Sequence, residues 1–182
     1  MADQVEDTQA HLLANDDVII VVFRGTQGSA DWATNLKIVL RDAPEAWGLS
    51  VNCKVHKGFY DGVNAVWVER NMRATITSLY NEEGKKRKLF ITGHSLGAAL
   101  ATVTAAHLAF EESINITAIY TYGSPNRVFN GPLAKEFDAN SIQLKDKCFR
   151  CRNNNDIVPR MPPYHYTNVG TEIYVDRLWG KN

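Results

Sequence analysis

Apolar and polar positions divide the chain into short strand-like runs and longer stretches of helical spacing. Residues 8–14 and 18–23 are two strand-like runs, and the second, Val-Ile-Ile-Val-Val-Phe, is apolar throughout. The turn residues Asn15-Asp16-Asp17 separate the two runs, which predicts an antiparallel hairpin. Because the second run contains no polar residue, we expect it to be buried on both faces of a sheet.

Predicted strands and helices alternate along the rest of the chain. The later strand-like runs are residues 89–91, 117–122, 148–152 and 172–175. Helical spacing covers residues 29–36, a long stretch from His56 to about Gly84, residues 98–109 and residues 132–140. This alternation favours an α/β fold with a mainly parallel sheet flanked by helices and the N-terminal hairpin as an antiparallel edge. A length of 182 residues suits one domain, residues 1–182.

The segment from Leu89 to Ala109 carries the clearest chemical motif. A buried strand, the pentapeptide Gly93-His94-Ser95-Leu96-Gly97 and an uninterrupted helical stretch follow one another, and the pentapeptide matches G-x-S-x-G. The two glycines lack a Cβ, so the strand and the helix can close around the turn and leave the Ser95 hydroxyl standing out at the strand's C-terminal end. The pentapeptide alone also arises by chance, but this strand–turn–helix context predicts an acyl-transfer nucleophile.

A serine nucleophile needs a base, normally a histidine whose second nitrogen is held by a carboxylate. Asp156 follows a predicted strand and comes after Ser95. This position agrees with α/β-hydrolases, in which Ser, Asp and His follow one another in that order along the chain. An Asx turn among three asparagines is the alternative interpretation of Asp156. Thr26, Ser95, Gly123 and Asp156 each stand just past the end of a strand, so we expect them on one rim of the sheet.

Two backbone amides are needed to stabilise the tetrahedral oxyanion. Leu96, directly after the nucleophile, is the first candidate. Thr26 is the second, since Gly25 lets the backbone approach; the alternative is that these residues only begin a loop. Trp32, on a short polar helix beyond that loop, is a candidate lid residue, with ordinary packing of its indole as the alternative.

Composition narrows the class of partner. The 20 Lys and Arg residues balance the 20 Asp and Glu residues, so no excess of charge favours nucleic acid or an anionic membrane. No apolar run has the length of a membrane span, and the acidic first residues do not resemble a signal peptide, so the localisation stays unassigned. Cys148 and Cys151 fall on opposite faces of a predicted strand, so we expect free thiols, and we predict no metal and no cofactor.

Six motifs occur in order along the chain. They are Phe23-Arg24-Gly25-Thr26, Asp31-Trp32 through Asn35-Leu36, His56-Lys57-Gly58-Phe59, Gly93 to Leu100, Thr121-Tyr122-Gly123-Ser124-Pro125, and Asp156 to Pro163. Together they resemble the fungal-type class 3 lipases, over about residues 8 to 175. The resemblance implies an α/β-hydrolase fold that acts on carboxylic esters, chiefly triacylglycerols, with phospholipase and feruloyl esterase relatives.

The resemblance also implies roles for individual residues. Ser95 matches the nucleophile and Asp156 the triad acid, Thr26 with Leu96 match the oxyanion hole, and residues 28–36 match the lid. The expected partners are therefore a lipid or another carboxylic ester as substrate and, transiently, a lipid interface.

The chain departs from the family pattern in two places. Family members usually read P-R-V-G-N after the strand, whereas here Asn126 is inserted and Phe129 replaces the glycine. The family's catalytic base lies in a C-terminal loop well beyond the acid, whereas this chain ends at Asn182. We therefore interpret the chain as a fragment that lacks both ends of the fold.

Three alternatives for the base follow. It lies in a missing C-terminal segment, it is a displaced His165, or it is absent. His94 adjoins the nucleophile, but neighbouring side chains at a sharp turn point apart. The other histidines, His11, His56 and His107, are interpreted as structural.

These features support one leading hypothesis and one competing class. The leading hypothesis is a lipase-like serine carboxylester hydrolase that forms an acyl-enzyme on Ser95. Transfer of the acyl group to an alcohol instead of water would use the same residues. The competing class is a lipase-like binding or regulatory protein without the triad base. The predicted lid has only Trp32 and Leu36 as large apolar residues, which favours small or amphiphilic esters.

Overall fold

The computed structural model describes residues 8–25, 39–139, 143–160 and 168–176. The strands of this part are β1 (Ala10–Ala14), β2 (Val18–Phe23), β3 (Leu40–Asp42), β4 (Lys54–His56), β5 (Lys88–His94), β6 (Ala118–Tyr122), β7 (Cys148–Asn153) and β8 (Thr171–Val175). Six of them form one sheet in the order β1-β2-β5-β6-β7-β8, and β3 pairs with β4. Only the β1–β2 pair of the large sheet is antiparallel among these residues, which confirms the predicted hairpin and the mainly parallel sheet.

The helices of the same ranges are α1 (Lys57–Asn64), α2 (Met72–Tyr80), α3 (Leu96–Ala106), α4 (Gly131–Ala139) and α5 (Leu144–Lys147). Short 3-10 turns lie at Glu45–Trp47 and Val158–Arg160, and π-helical turns at Ala65–Glu69 and His107–Glu111 extend α1 and α3. No helix in the described part is long and apolar enough to cross a membrane.

The prediction of one long helix from His56 to about Gly84 is wrong. The helical backbone stops after Glu69, and Asn71 has a left-handed φ of 59° before α2 begins at Met72. Asparagine is one of the few residues that adopt this conformation routinely, so it ends a helix readily. The apolar spacing continues across the break because Trp67 and Met72 are both buried, and spacing reports burial rather than continuity of the helix.

Helix α3 is the centre of the core. Every residue from Gly97 to Ala106 is buried, and the helix packs against β2, β5 and β6. Its side chains are mostly those of Ala and Thr, so its axis lies close to the strands. The position of its first turn is therefore determined by packing along its whole length.

The two faces of the large sheet differ in burial. The side chains of β2 alternate between fully buried Ile19, Val21 and Phe23 and half-buried Val18, Ile20 and Val22. The expectation that β2 is buried on both faces is therefore wrong. On the half-buried face, Tyr122 is 46% exposed, and Ile173, which pairs with Cys151 beside it, is 40% exposed. An apolar run reports the burial of a strand but does not say which face the helices cover.

The three cysteines form no disulfide. Cys53 and Cys148 are buried, and Cys151 is partly exposed on the half-buried face. Burial raises the pKa of the Cys148 thiol to about 12, so this thiol is protonated and unreactive at neutral pH. The two cysteines of β7 thus lie on opposite faces of the strand, as predicted.

Candidate active site

Ser95 forms a strained turn between the last residue of β5 and the first residue of α3. Its φ of 56° and ψ of −123° are rare for a residue with a side chain. The Ala98 amide donates to the Ser95 carbonyl at 3.0 Å, which starts the helix. This is the elbow that the G-x-S-x-G motif predicts.

Glycine is required on both sides of the elbow for steric reasons. A Cβ on Gly93 would overlap the Gly97 carbonyl, and a Cβ on Gly97 would overlap the Phe23 carbonyl of β2. At the end of β2, a Cβ on Gly25 would lie 2.6 Å from the His94 carbonyl oxygen and 3.5 Å from the Cβ of Ser95. Backbone therefore packs on backbone, as predicted, and Gly25 lies next to the nucleophile.

The Ser95 side chain is 1% exposed, so the expectation that its hydroxyl stands out from the surface is wrong. The Oγ is buried and has no hydrogen-bond partner among the residues described. The hydroxyl does lie at the N-terminus of α3, where the helix dipole favours negative charge. Leu96 is the first residue of that helix, so its amide has no acceptor within the helix.

Asp156 lies in the turn that follows β7 and is partly buried. Its amide donates to the Asn153 carbonyl at 3.1 Å, and its Oδ1 accepts the Val158 amide at 3.0 Å. This is the Asx-turn arrangement named above as the alternative. The second oxygen, Oδ2, is not used by the turn and lies against the backbone of Gly123, at the end of β6. The carboxylate therefore both stabilises the turn and presents one oxygen to the neighbouring strand end.

Two backbone hydrogen bonds join these strand ends. The Ser95 amide donates to the Tyr122 carbonyl at 2.9 Å, and the Gly123 amide donates to the Cys151 carbonyl at 3.0 Å. They continue the parallel pairing past the ends of β5 and β6. The elbow, Gly123 and the end of β7 consequently lie on one edge of the sheet, as expected for an open α/β sheet.

The described histidines do not supply a base for Ser95, because its Oγ is unpaired. His94 is exposed while Ser95 is buried, which agrees with neighbouring side chains that point apart. His56 is buried and stacks on Phe59, with ring centroids 4.2 Å apart. His107 lies at the opposite end of α3.

The loop after β6 contains Asn126 and Phe129, the two residues that depart from the family's P-R-V-G-N pattern. Phe129 is fully buried, packs on Phe137 with ring centroids 5.6 Å apart, and forms a bridge with Val55. Asn126 is 1% exposed, and neither polar atom of its side chain has a partner within the described ranges. The phenylalanine therefore belongs to the core, whereas the inserted asparagine places a buried side-chain amide that has no partner among the described residues.

The described ranges bring Ser95, Leu96 and Asp156 to one edge of the sheet. Thr26, Trp32 with the rest of the predicted lid, and His165 lie outside the described residues. Sequence reasoning placed Gly123 on this edge but missed its contact with Asp156, although a glycine directly after a strand is a signal for close backbone approach.

Within the same ranges, no group of three or more His, Cys, Asp or Glu side chains is placed to hold a metal ion.

The chain is similar to known lipases. The family described as Lipase (class 3) matches residues 20–166. The chain is 32% identical to phospholipase A1-II 1 of Oryza sativa subsp. indica, over 93% of this chain and 46% of the relative. It is 33% identical to secreted mono- and diacylglycerol lipase 1 of Fusarium solani, over 87% of this chain and 44% of the relative.

Solved lipase structures have the same fold. The structure of Rhizomucor miehei triacylglyceride lipase superimposes with a TM-score of 0.79 and 27% identity, over 96% of this chain and 64% of that one. The described strands and helices therefore belong to an α/β-hydrolase fold. The chain spans about half the length of the curated relatives that it matches.

Proposed function

The chain belongs to the class 3 lipase family, and from this premise we propose that the protein is a lipase-like serine carboxylester hydrolase in which Ser95 forms the acyl-enzyme. The observation that supports this proposal best is the strained elbow, which holds Ser95 at the N-terminus of α3 on the same sheet edge as Asp156. We further propose that residues 1–182 form part of a single α/β-hydrolase domain.

In the proposed reaction, the Ser95 Oγ attacks the carbonyl carbon of an ester while a base takes the hydroxyl proton. The alcohol leaves with that proton, and water then hydrolyses the acyl-serine in the reverse sense. The Leu96 amide and the Thr26 amide are the proposed donors to the oxyanion, and the dipole of α3 adds to their effect. Asp156 is the proposed acid that orients the base.

The proposed base is a histidine outside the described residues, either His165 or one C-terminal to this chain. This proposal is supported by the buried Oγ of Ser95, which has no hydrogen-bond partner among the described side chains. The proposed substrates are lipids or other carboxylic esters, with transient contact between the lid region around Trp32 and a lipid interface. The named relatives include a phospholipase, a mono- and diacylglycerol lipase and a triacylglyceride lipase, which supports this class.

The test compares p-nitrophenyl esters of short, medium and long acyl chains as substrates. A protein of residues 1–182 and a version extended at both ends through the flanking coding sequence are assayed beside their Ser95→Ala variants. We expect hydrolysis by the extended version, and a loss of roughly 10³-fold or more on Ser95→Ala because the nucleophile is removed. A fluorophosphonate probe should label Ser95 in the same version.

Two results would contradict the proposal. One is undiminished hydrolysis or labelling in the Ser95→Ala variant. The other is an extended version that is folded but neither hydrolyses any of the esters nor reacts with the probe. The second result would favour the competing class, a lipase-like binding protein without a triad base.

A further inference from the structure

Gly123 is the first residue past β6 and has a left-handed φ of 55°. Its amide donates to the Cys151 carbonyl, and the carbonyl of the preceding residue, Tyr122, accepts the Ser95 amide. The backbone around Gly123 therefore bonds to the elbow on one side and to β7 on the other. A residue in this place can set the separation of the nucleophile and the acid.

The carboxylate of Asp156 occupies the space where a side chain on Gly123 would be. A Cβ built on Gly123 would lie 2.5 Å from Oδ2 of Asp156 and 3.6 Å from its Cγ. Non-bonded carbon and oxygen atoms do not approach to 2.5 Å, so the two groups exclude each other. Rotation of the carboxylate away from Gly123 has an energetic cost, because its Oδ1 accepts the Val158 amide at 3.0 Å. A displacement of Oδ2 large enough to admit the Cβ therefore turns the carboxylate against the Oδ1 hydrogen bond that holds the turn.

The other neighbour of this space is His94. Its Nε2 lies 3.5 Å from the same Cβ position, which is ordinary van der Waals contact, and its ring is on the exposed side. A small side chain at position 123 would therefore touch His94 without displacing it. The steric conflict is specific to Asp156.

We propose that Gly123 is a positioning residue for the acid: the absence of its side chain lets Asp156 rest against the backbone of β6, with Oδ2 on the edge that carries Ser95. This inference deepens the proposed function and rests on it for its catalytic part. A displacement of about 1 Å in a catalytic group can cost on the order of 100-fold in rate. The acid acts through the base, so its displacement lowers kcat more than it raises KM.

The first test is a double-mutant cycle of thermal stability on residues 1–182, and it needs no activity. Gly123→Ala is measured in the native background and in the Asp156→Ala background, where the carboxylate is gone. We expect a large fall in Tm in the first background and a small one in the second, because only the first contains the conflict. If Gly123→Ala alone does not fold, folding of the double variant gives the same result. Equal falls in both backgrounds would overturn the proposal.

Two other glycines supply matched controls for backbone strain. Gly48 and Gly84 have left-handed φ values of 64° and 78°, and a Cβ on either would meet no atom within 4 Å. Gly48→Ala and Gly84→Ala therefore carry the cost of a positive φ without a steric conflict. A fall in Tm for Gly123→Ala no larger than theirs would show that strain alone is responsible.

The second test is kinetic and uses the extended version that hydrolyses esters. Gly123→Ala should lower kcat by about 100-fold with little change in KM, while Gly48→Ala and Gly84→Ala stay within about twofold. The acid limb of the kcat/KM profile should move to lower pH, because a histidine base that loses its carboxylate partner is easier to deprotonate. His94 also faces this space, so the profile is compared with that of His94→Gln to separate the effects of the two residues.

The two tests distinguish two kinds of failure. An extended version without Ser95-dependent hydrolysis contradicts the proposed function, whereas the stability cycle still decides whether Gly123 positions Asp156. The other failure is an active extended version in which Gly123→Ala lowers kcat no more than Gly84→Ala does, or leaves the pH profile unchanged. This result contradicts the positioning role and leaves the proposed function intact.

Discussion

Helix α3 ends in two different environments. At its N-terminal end, Gly93 and Gly97 bring backbone against backbone, and the Ser95 hydroxyl is buried without a partner among the described residues. At its C-terminal end, large side chains enclose His107. Its ring stacks on Trp67 and meets the edge of Trp47, with both pairs of ring centroids 5.0 Å apart.

Polar contacts at the C-terminal end reinforce this packing. The Trp47 Nε1 donates to Nδ1 of His107 at 3.2 Å in the tautomer whose proton is on Nε2, whereas in the other tautomer Nδ1 donates to Oε2 of Glu111 at 3.0 Å. Arg73 pairs with Glu111 at 2.8 Å and with Glu112 at 2.6 Å. Aromatic rings and ion pairs therefore enclose this end of the helix, although Nε2 of His107 and Nε1 of Trp67 are buried without a hydrogen-bond partner among the described residues.

The two ends of this helix therefore contribute differently to the stability of the fold. A strained φ and an unpaired buried hydroxyl each cost free energy, of the order of 1 to 3 kcal/mol. The strained φ occurs at the Ser95 end and the packed aromatic rings lie at the other, while buried polar atoms without a partner among the described residues occur at both. Since Gly97 to Ala106 are buried throughout, the well-packed end can hold the strained end in place through the rigid helix between them.

The largest expected effect is that of Gly97→Ala. A Cβ at this position overlaps backbone atoms of Phe23 and Arg24, which cannot move without shifting β2. We expect the free energy of unfolding to fall by more than about 3 kcal/mol, or the chain not to fold. Urea denaturation measures this. Gly131→Ala, in open space at the start of α4, is the control and should change stability by no more than about 1 kcal/mol. Equal stability of the two variants would contradict the steric account of the elbow.

A smaller effect is expected at the opposite end of the helix from Trp47→Phe. This change removes the N–H that donates to His107 and leaves a gap beside its ring, so stability should fall by about 1 to 3 kcal/mol. In the extended version, the rate of fluorophosphonate labelling should stay the same, because the site lies at the other end of α3. Val51→Ala, at a position that is 90% exposed, is the control for both measurements. Slower labelling of folded Trp47→Phe would show that the two ends are not independent.

The smallest effect expected is a dependence of stability on pH. Burial lowers the pKa of His107 from its ordinary value of 6.5, although Glu111 opposes this shift. Below that ordinary value the unfolded chain binds a proton that the folded chain resists, so stability should fall as the pH decreases. We expect the loss of Tm between about pH 7.5 and pH 5 to be smaller in His107→Gln than in the unaltered chain. An unchanged pH dependence would mean that His107 is not responsible.

The exposed His11 supplies the control for this measurement. His11→Gln should keep the full loss of Tm on acidification. An equal reduction in both histidine variants would point to the general loss of a charge rather than to the buried ring.

Local patterns predicted the parts of the molecule that depend on a few consecutive residues. The elbow at Ser95 was predictable because the spacing of Gly93 and Gly97 is itself the steric condition for the turn. The break at Asn71 was not, since apolar spacing continues through Trp67 and Met72. The half-buried face of β2 was also missed, because an apolar run does not record what covers each of its sides.

The sequence by itself determined the hairpin, the parallel strands and the elbow, and it singled out Asp156 as the proposed acid. Each of these follows from turn chemistry, apolar periodicity or the order of motifs along the chain. Only the tertiary structure decided that one oxygen of Asp156 holds its own turn while the other rests on Gly123. That arrangement depends on the register of β6 and β7, which brings distant residues to van der Waals distance, and no local pattern encodes such a distance.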